Sequence, residues 1–251
     1  RFPRTKVVRY PAIAECSDRH REKGDALFPE HKPLDFLLER QAGMTSSQFE
    51  ALYQQSPFLQ TGGMFPIDRF EIVENIDRAN IKKSVRYWDK AGTAGGGAYT
   101  AGVLIHLLNN GRYIVDDVVR GQWSALDREQ HIKQRAEIDK QNTPHLEIWV
   151  EQEPGSGGKE SAEATVRMLA GFRAYADLVS GKGSKEIRAE PFAAQVQNRN
   201  VMVRSAAWTT DYLDEAVSFP AGKFKDQIDA SAGAFNELAS GSSWDSSYSW
   251  V

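Results

Sequence analysis

The dipeptide Asn110-Gly111 constrains the fold more than any other feature of this chain. It separates two apolar segments, AYTAGVLIHLL at 98–108 and RYIVDDVVRG at 112–121, that are rich in residues typical of strands. Asn-Gly between two such segments favours a tight antiparallel turn, because both residues tolerate the positive φ that the turn requires. The segment IKKSVRYWDK at 81–90 predicts a strand just before them. We therefore expect three consecutive strands in an antiparallel meander.

Alternating helix and strand patterns follow this meander. Apolar residues three and four apart over 157–178 predict one long helix. The other predicted elements are a helix at 127–141, a fourth strand at 145–152, a short fifth strand at 186–192, a strand at 201–205, and helices at 208–219 and 225–239. This order predicts an α/β fold of RNase H-like type. Its mixed β-sheet would combine the antiparallel three-strand meander with parallel strands, and helices would flank it.

The segment before the meander differs from the rest of the chain. Two short amphipathic helices are predicted at 34–41 and 46–55, and the glycines and proline of TGGMFP mark a loop. We expect three parts, and the expected ranges are 1–62 for a linker segment, 63–238 for the main domain and 239–251 for a flexible Ser-rich tail. Since the sequence starts on Arg1, we expect it to be a fragment of a longer protein.

Composition excludes sites that need several cysteines, and it excludes membrane-spanning helices. Cys16 is the only cysteine, so neither an intramolecular disulfide nor a zinc-cysteine cluster can form. No apolar run is long enough for a membrane-spanning helix, so we expect no membrane partner. The net charge of -3 does not by itself indicate a nucleic-acid partner, although an acidic centre can mask a basic rim in such a sum.

Acidic residues follow two of the predicted strands. Asp89 ends the first strand, and Glu151 and Glu153 follow the fourth. If the first and fourth strands are parallel neighbours, their final carboxylates meet at one edge of the sheet. Strand alternation puts Glu151 and Glu153 on the same side, and Glu151 directly extends the strand. We favour Glu151 as the second acid of a site and keep Glu153 as the alternative. Solvated acids beside turns are the competing interpretation.

A third pair of acids begins the last predicted helix. Asp226 and Asp229 are three residues apart, which places both on one helical face. Acids near a helix N-terminus are favoured by the helix dipole alone, so this pattern also has a purely structural explanation. Small residues follow Asp229 in the sequence ASAGA, and they favour close packing of the helix on a sheet. Such packing would turn Asp229 inward.

Converging carboxylates repel one another unless a cation neutralises them. Mg²⁺ and Mn²⁺ prefer carboxylate oxygens, and no Cys or His cluster favours a softer metal. Two such ions can activate a water molecule, position a phosphodiester and stabilise the leaving oxygen. The residue pattern therefore predicts a two-ion site for phosphoryl transfer, formed by Asp89, Glu151, Asp229 and Asp226.

Several basic residues could line a groove for DNA. As a group they predict salt-dependent, sequence-independent binding, although a solvated surface is the simpler interpretation for each one. The candidate residues are Lys159, Lys182, Lys185, Arg188, Arg199 and Arg204.

The glycine-rich sequence at 155–161 lacks residues that a P-loop needs, so we interpret it as a flexible turn. Asp116 and Asp117 are interpreted as charges on an edge strand.

Several motifs together resemble the C-terminal nuclease domain of tailed-phage terminase large subunits. The quoted segments are GDALFPEHKPLDFLLERQ and FEALYQQSPFLQTGGMFP in the linker passage, RYWDKAG at the first acid, IWVEQEPGSGGK at the second and KDQIDASAGAF at the last. The resemblance implies that 1–62 contains the end of an ATPase domain and its linker. It also implies metal-dependent cutting of double-stranded viral DNA during genome packaging. Asp89 would bridge two metals, Glu151 would bind one of them, and Asp229 would complete the site with help from Asp226.

The resemblance also implies partners and a place of action. Expected partners are double-stranded DNA, the terminase small subunit, the portal and the protein's own ATPase domain, all in the host cytoplasm. Two rival hypotheses remain open. One is another RNase H-like nuclease of resolvase or integrase type, against which the linker passage argues. The other is a non-catalytic module that grips DNA or couples the packaging motor, in which the acids have no catalytic role.

Overall fold

A computed structural model describes residues 9–44, 46–55, 63–91, 97–143 and 145–240 of the chain. The chain divides into two compact units, Arg1–Gly62 and Gly63–Val251. The predicted flexible tail starts at 239, but the last helix continues to Ser240. The rest of that tail lies outside the described residues, as does nearly all of the glycine-rich segment that follows Asp89. Within the described ranges, no helix is both long and apolar enough to span a membrane.

The first unit contains the two predicted short helices, α1 (Leu34–Ala42) and α2 (Ser46–Leu52). Leu37 of α1 and Phe49 of α2 are buried. The side chain of Gln54 acts like a strand partner for Ile13: its Oε1 accepts a hydrogen bond from the Ile13 N–H at 3.0 Å, and its Nε2 donates to the Ile13 carbonyl at 3.0 Å. These contacts hold the irregular start of the unit against the end of α2.

The second unit is a seven-stranded mixed sheet with helices on both faces. Its strands are β1 (Glu71–Val73), β2 (Ile81–Asp89), β3 (Thr100–Leu108), β4 (Tyr113–Gly121), β5 (Leu146–Gln152), β6 (Ala174–Leu178) and β7 (Val201–Arg204). Its helices are α3 (Ala125–Asn142), α4 (Ser156–Met168), α5 (Lys185–Gln197), α6 (Thr209–Ser218) and α7 (Asp226–Ser240).

The strand order is β1-β7-β4-β3-β2-β5-β6. The strands β2, β3 and β4 form the predicted antiparallel meander. The strand β5 pairs with β2 in parallel, as the sequence predicted, and β6 pairs with β5 in parallel. These findings confirm an RNase H-like mixed α/β sheet flanked by helices.

Two element predictions in the second half of the chain were wrong. The long helix expected over 157–178 ends at Met168, and Ala174–Leu178 is the strand β6. Gly171 adopts φ 93° between them, a conformation that ends a helix readily because glycine has no Cβ. The predicted strand at 186–192 lies within α5 instead. Ser184 caps α5 by accepting a hydrogen bond from the Ile187 N–H at 3.4 Å.

The glycine-rich segment at 155–161 is not a flexible turn, because α4 begins at Ser156 and includes most of it.

The interpretation of Asp116 and Asp117 as edge charges was also wrong. Their strand β4 is interior, since β7 pairs with it on the side away from β3. Asp116 accepts contacts from His106 Nε2 at 3.0 Å and Arg204 Nε at 2.7 Å. Asp117 pairs with the fully buried Arg86 at 2.7 Å.

Alternation along β2 divides the core between the two faces of the sheet. Tyr87 packs with α5, α6 and α7 in the larger core, while Trp88 packs with α3 on the opposite face. Asp89 is two residues beyond Tyr87, so its side chain belongs to the same face as α5 and α7. Both rings lie against glycines: a Cβ on Gly233 would meet Tyr87 Cζ at 2.4 Å, and one on Gly102 would meet Trp88 Cζ3 at 2.4 Å.

Candidate active site

Two neighbouring strands deliver an acid each to one edge of the sheet. The register pairs Trp88 of β2 with Val150 of β5 in parallel, so the next residues, Asp89 and Glu151, lie at the same level. Each is only 7% exposed. The central position of β2 and β5 in the sheet explains this burial, since both strands have a partner on each side. Glu153 lies beyond the end of β5 and is exposed.

Helix α7 brings the last two acids toward this edge. Asp229 is 3% exposed. It lies near Asp89 of β2, because Lys185 forms an ion pair with both carboxylates. Asp226 is also buried, and its Oδ2 accepts a hydrogen bond from the Tyr99 N–H at 2.9 Å. This bond ties the first turn of α7 to the segment that enters β3. The structure therefore collects Asp89, Glu151, Asp229 and Asp226 on one edge.

Two cations from α5 lie among these acids. The Lys185 ammonium forms ion pairs with Asp229 Oδ2 and, at 3.4 Å, with Asp89 Oδ2. The Arg188 guanidinium lies against Glu151, with NH1 3.4 Å from Oε2 and NH2 3.5 Å from Oε1. Lys185 and Arg188 are three residues apart, so they project from one face of α5.

The electrostatics of the edge show how crowded the carboxylates are. Burial raises the pKa of Asp89 to about 8; Lys185 opposes this shift, and the charges of Glu151, Asp229 and Asp226 add to it. Burial also raises the pKa of Asp229 to about 6, against the opposing charge of Lys185. Burial opposes the positive charge of Lys185, but the neighbouring Asp89 and Asp229 raise the pKa of its ammonium well above the ordinary value. Negative charge on this edge is therefore only partly compensated by the protein's own cations.

The donor set fits a hard divalent cation. All four groups are buried carboxylates and they come from three elements. Burial raises the pKa of Asp89 and of Asp229, and a bound cation would offset that cost of ionisation. Glu151 Oε2 is a buried oxygen without a hydrogen-bond partner among the described residues. As the side chains stand, no three acidic, His or Cys groups in the described ranges are placed to hold an ion. Lys185 and Arg188 contact the oxygens that such an ion would use.

The remaining candidate basic residues lie in different places. Lys182 forms ion pairs with Asp177 and, at 3.9 Å, with Glu237, beside the acidic edge. Lys159 is exposed on α4 and is 3.8 Å from Glu163. Neither contacts the four acids.

Arg199 and Arg204 are not brought to the acidic edge. Arg199 precedes β7, whose first residue pairs with the first residue of β4, at the end of the sheet opposite Asp89. Arg204 contacts Asp116 and Asp117 instead of the four acids. The two arginines therefore lie apart from Lys185 and Arg188.

Sequence reasoning missed two buried carboxylates near the site. Asp177 is the register partner of Glu151 on β6, and its Oδ2 accepts a hydrogen bond from the Tyr87 hydroxyl at 2.7 Å. It was overlooked because β6 was predicted as helix. Glu215 of α6 caps α7: its Oε1 accepts hydrogen bonds from the Gln227 N–H at 2.6 Å and the Ile228 N–H at 3.1 Å. Nothing in the local sequence of Glu215 indicates a cap on another helix.

Lys90, the residue after Asp89, supports the edge from the opposite side. Its ammonium donates hydrogen bonds to the Thr165 hydroxyl at 2.8 Å and to the Ser161 hydroxyl at 2.8 Å. Both partners belong to α4. The end of β2 therefore faces α7 with Asp89 and is attached to α4 by the following residue, Lys90.

Residues 86–238 match the model of a protein family described as the terminase RNaseH-like domain. This range begins within β2, ends within the last turn of α7 and includes all four acids. No curated protein sequence matches the chain.

Solved structures of phage proteins are among those to which the chain is similar. The crystal structure of the large terminase nuclease from phage G20c has a TM-score of 0.49 and 14% identity, covering 70% of this chain and 99% of that one. The same nuclease with bound magnesium has a TM-score of 0.46 and 15% identity, covering 71% and 99%. The large terminase nuclease domain of Thermus phage P74-26 has a TM-score of 0.48 and 13% identity, covering 68% and 92%.

Proposed function

Since this chain belongs to the terminase RNaseH-like domain family, we propose that it is a divalent-metal-dependent endonuclease that cuts double-stranded viral DNA during genome packaging. The observation that carries the proposal is the meeting of Asp89, Glu151 and Asp229 on one buried edge of the sheet. Three separate elements supply these carboxylates, and one divalent-ion site explains why the fold accepts their mutual repulsion.

The carboxylates would hold two Mg²⁺ or Mn²⁺ ions. Asp89 would be shared by both ions, Glu151 would bind one of them, and Asp229 would complete the site with help from Asp226. When bound, such ions lower the pKa of a coordinated water and stabilise charge on the leaving oxygen of a phosphodiester. Hydrolysis would join the oxygen of a water molecule to phosphorus and break the bond to the 3′ oxygen, with one proton lost by the water and one gained by that oxygen. The products are a 5′ phosphate and a 3′ hydroxyl.

The chain's own residues position this chemistry. The Tyr99 N–H fixes the carboxylate of Asp226, and the cap from Glu215 fixes the start of α7 and with it Asp229. Lys185 and Arg188 are the cations nearest to the acids, so they are suited to bind the phosphates that flank the scissile bond.

Contacts farther along the DNA would come from less central basic residues. We assign this role to Lys182, Lys159, Arg199 and Arg204, each of which would add sequence-independent affinity that falls with salt. Arg199 and Arg204 would contact a duplex only where it extends well beyond the acidic edge.

The larger machine is also part of the proposal. Residues 1–62 would form the end of an ATPase domain and its linker, and 63–238 would form the nuclease domain. The small subunit, the portal and the ATPase domain would hold and move DNA in the host cytoplasm. Cleavage by this chain alone would then be slow and poorly targeted, because the parts that hold DNA are other domains and subunits.

One observation favours a second candidate function. Lys185 and Arg188 already neutralise part of the acidic edge, and this arrangement also suits a non-catalytic module that grips DNA. Such a module would bind DNA without a divalent cation. Membership of the terminase family favours a packaging nuclease over the resolvase and integrase types.

Plasmid cleavage separates the two candidates. Supercoiled plasmid is incubated with the wild-type chain in Mn²⁺, in EDTA, and with the Asp89→Ala variant. The nuclease hypothesis predicts nicking and linearisation in Mn²⁺ that both EDTA and Asp89→Ala abolish. Asp68→Ala is the matched control, because Asp68 is an exposed acid away from the edge. DNA binding without cleavage by the folded wild-type protein would support the gripping module instead.

A further inference from the structure

The first turn of α5 places two cations against three of the acids. Lys185 contacts Asp89 and Asp229, and Arg188 contacts Glu151. The cations thus cover the oxygens that the proposed metal site would need. Two positive charges face three carboxylates, so the compensation of charge is incomplete even before Asp226 is counted.

The pairing between Arg188 and Glu151 is loose. Its two contacts, at 3.4 and 3.5 Å, lie at the outer limit of hydrogen-bond distance. Arg188 Nε and Glu151 Oε2 are both buried without a hydrogen-bond partner among the described residues. A buried donor and acceptor in this state are costly, so better partners would replace this contact readily.

The contact of Lys185 with Asp89 is equally long, at 3.4 Å, while its contact with Asp229 is close. The Lys185 side chain is 41% exposed, so its flexible stem has a route to solvent and to a bound duplex. A divalent cation and this ammonium would compete for the same oxygens of Asp89 and Asp229. Both cannot occupy them together.

We propose that Lys185 and Arg188 are resident counter-ions of the acidic edge, and that divalent-cation binding releases them to bind DNA phosphates. The cation takes the carboxylates, and the two side chains take the phosphates beside the scissile bond. Metal binding and DNA binding are then positively coupled, because each removes a partner that the other must displace. This inference rests on the proposed metal-dependent function and adds an exchange of ion pairs to it.

The slope of log DNA affinity against log salt concentration measures how many phosphates the protein contacts. A labelled duplex is titrated with protein over a range of KCl concentrations, in EDTA and in a fixed concentration of Ca²⁺, and binding is measured by fluorescence anisotropy. The proteins are wild type, Lys185→Gln, Lys185→Arg and the control Lys159→Gln. Lys159 is exposed and pairs only weakly with Glu163, so it provides the same chemical change outside the acidic edge.

The exchange predicts a steeper dependence of log affinity on log salt in Ca²⁺ than in EDTA for the wild type. The difference should be about 1.8, from two new phosphate contacts at about 0.9 each. Lys185→Gln should lose about 0.9 of that slope in Ca²⁺ and almost none in EDTA. Lys185→Arg should behave like the wild type. Lys159→Gln should change the slope equally in both buffers.

Two results would overturn the exchange. One is an equal loss of slope for Lys185→Gln in both buffers, which would make Lys185 a fixed DNA contact. The other is no loss in either buffer, which would make it a purely structural counter-ion. Circular dichroism of each variant in EDTA confirms that it is folded. Calorimetric titration of the wild type with Mn²⁺ and Ca²⁺ separates a failure of the inference from a failure of the proposed function, because only the latter predicts no ion binding at all.

Discussion

In the metal-free protein, burial destabilises the ionised forms of Asp89 and Asp229. Burial raises the pKa of Asp89 to about 8 and that of Asp229 to about 6, from the ordinary value of 3.8. The folded state therefore binds protons more tightly than the unfolded state. The resulting stability is fully present below about pH 4 and is lost as pH rises through 6 and then 8. We expect the melting temperature in EDTA to fall between pH 5 and pH 8.5.

Variants identify the groups responsible for this fall. Asp89→Asn should flatten the pH dependence of the melting temperature and raise stability above pH 7, since it removes a carboxyl whose pKa burial raises to about 8. Asp68→Asn, at an exposed position, should leave the profile unchanged. A wild-type melting temperature that is constant over this range, or that rises with pH, would contradict the assigned shifts.

Either Glu151 or Glu153 could be the second acid of the site. Glu151 is buried beside Arg188, whereas Glu153 is exposed beyond the end of β5. We expect Glu151→Gln to reduce Mn²⁺-dependent plasmid cleavage by at least about 100-fold, the upper range for the loss of a group that supports a metal site. Glu153→Gln should keep cleavage within about threefold of the wild type, because a solvated carboxylate contributes little. The opposite ranking of the two variants would move the second acid to Glu153.

For single residues, the sequence predicted which acids lie together but not which basic residues form ion pairs with them. Asp89 and Glu151 could be placed on one edge because strand ends and parallel pairing follow from local patterns. Lys185 and Arg188 could not be paired with them, since that contact depends on α5, which was predicted as a strand. The interpretation of Asp116 and Asp117 failed for a similar reason, because the strand predicted at 201–205 was not predicted to pair with theirs as β7 does.

Among the elements, α7 determines the geometry of the site through a close approach to β2. Gly233 is one helical turn after Asp229 on the same face, and a Cβ there would lie 2.4 Å from Tyr87 Cζ. Gly233→Ala must therefore push α7 away from the strand that carries Asp89. We expect a loss of about 1–3 kcal/mol in the free energy of unfolding, as for an overpacked core. Cleavage should fall at least about 10-fold, because the proposed metal ligands would move apart.

Gly157 provides the matched control for this substitution. It lies in the first turn of α4, and a Cβ there would meet nothing within 4 Å. Gly157→Ala should keep cleavage and gain up to about 1 kcal/mol in the free energy of unfolding, from higher helix propensity. Chemical denaturation and plasmid assays measure both effects. Full activity in Gly233→Ala would show that the approach of α7 does not position Asp229.

The elements that sequence patterns predicted best are those with strong local signals. The Asn110-Gly111 turn, the apolar run of β3 and the small residues of α7 all correspond to elements in the structure. The boundary between α4 and β6 was missed because the apolar spacing continues across Gly171. Apolar positions of α5, such as Ala189, Phe192 and Val196, recur at helical spacing, but only a window longer than 186–192 reveals them.

For the whole molecule, the strand order explains why one edge collects the acids. Because β5 crosses back to pair with β2 in parallel, both strands end at the same side of the sheet. The helices α5 and α7 then cover the face on which those ends project. Sequence reasoning could predict this edge, since the meander and the crossover follow from the order of elements. The strands β7 and β1 extend the sheet beyond β4 without changing the edge that carries the acids.

The most direct test of the account is to locate bound metal. Crystals of the chain are soaked in Mn²⁺, and anomalous diffraction is collected at the manganese edge. We expect two peaks, about 3.5–4 Å apart, with Asp89 between them and with Glu151 and Asp229 as further ligands. In the same map, Lys185 should have left the carboxylates. An anomalous map without peaks at Asp89, Glu151 and Asp229, from crystals of a chain that still cleaves DNA in Mn²⁺, would contradict the assignment of the active site.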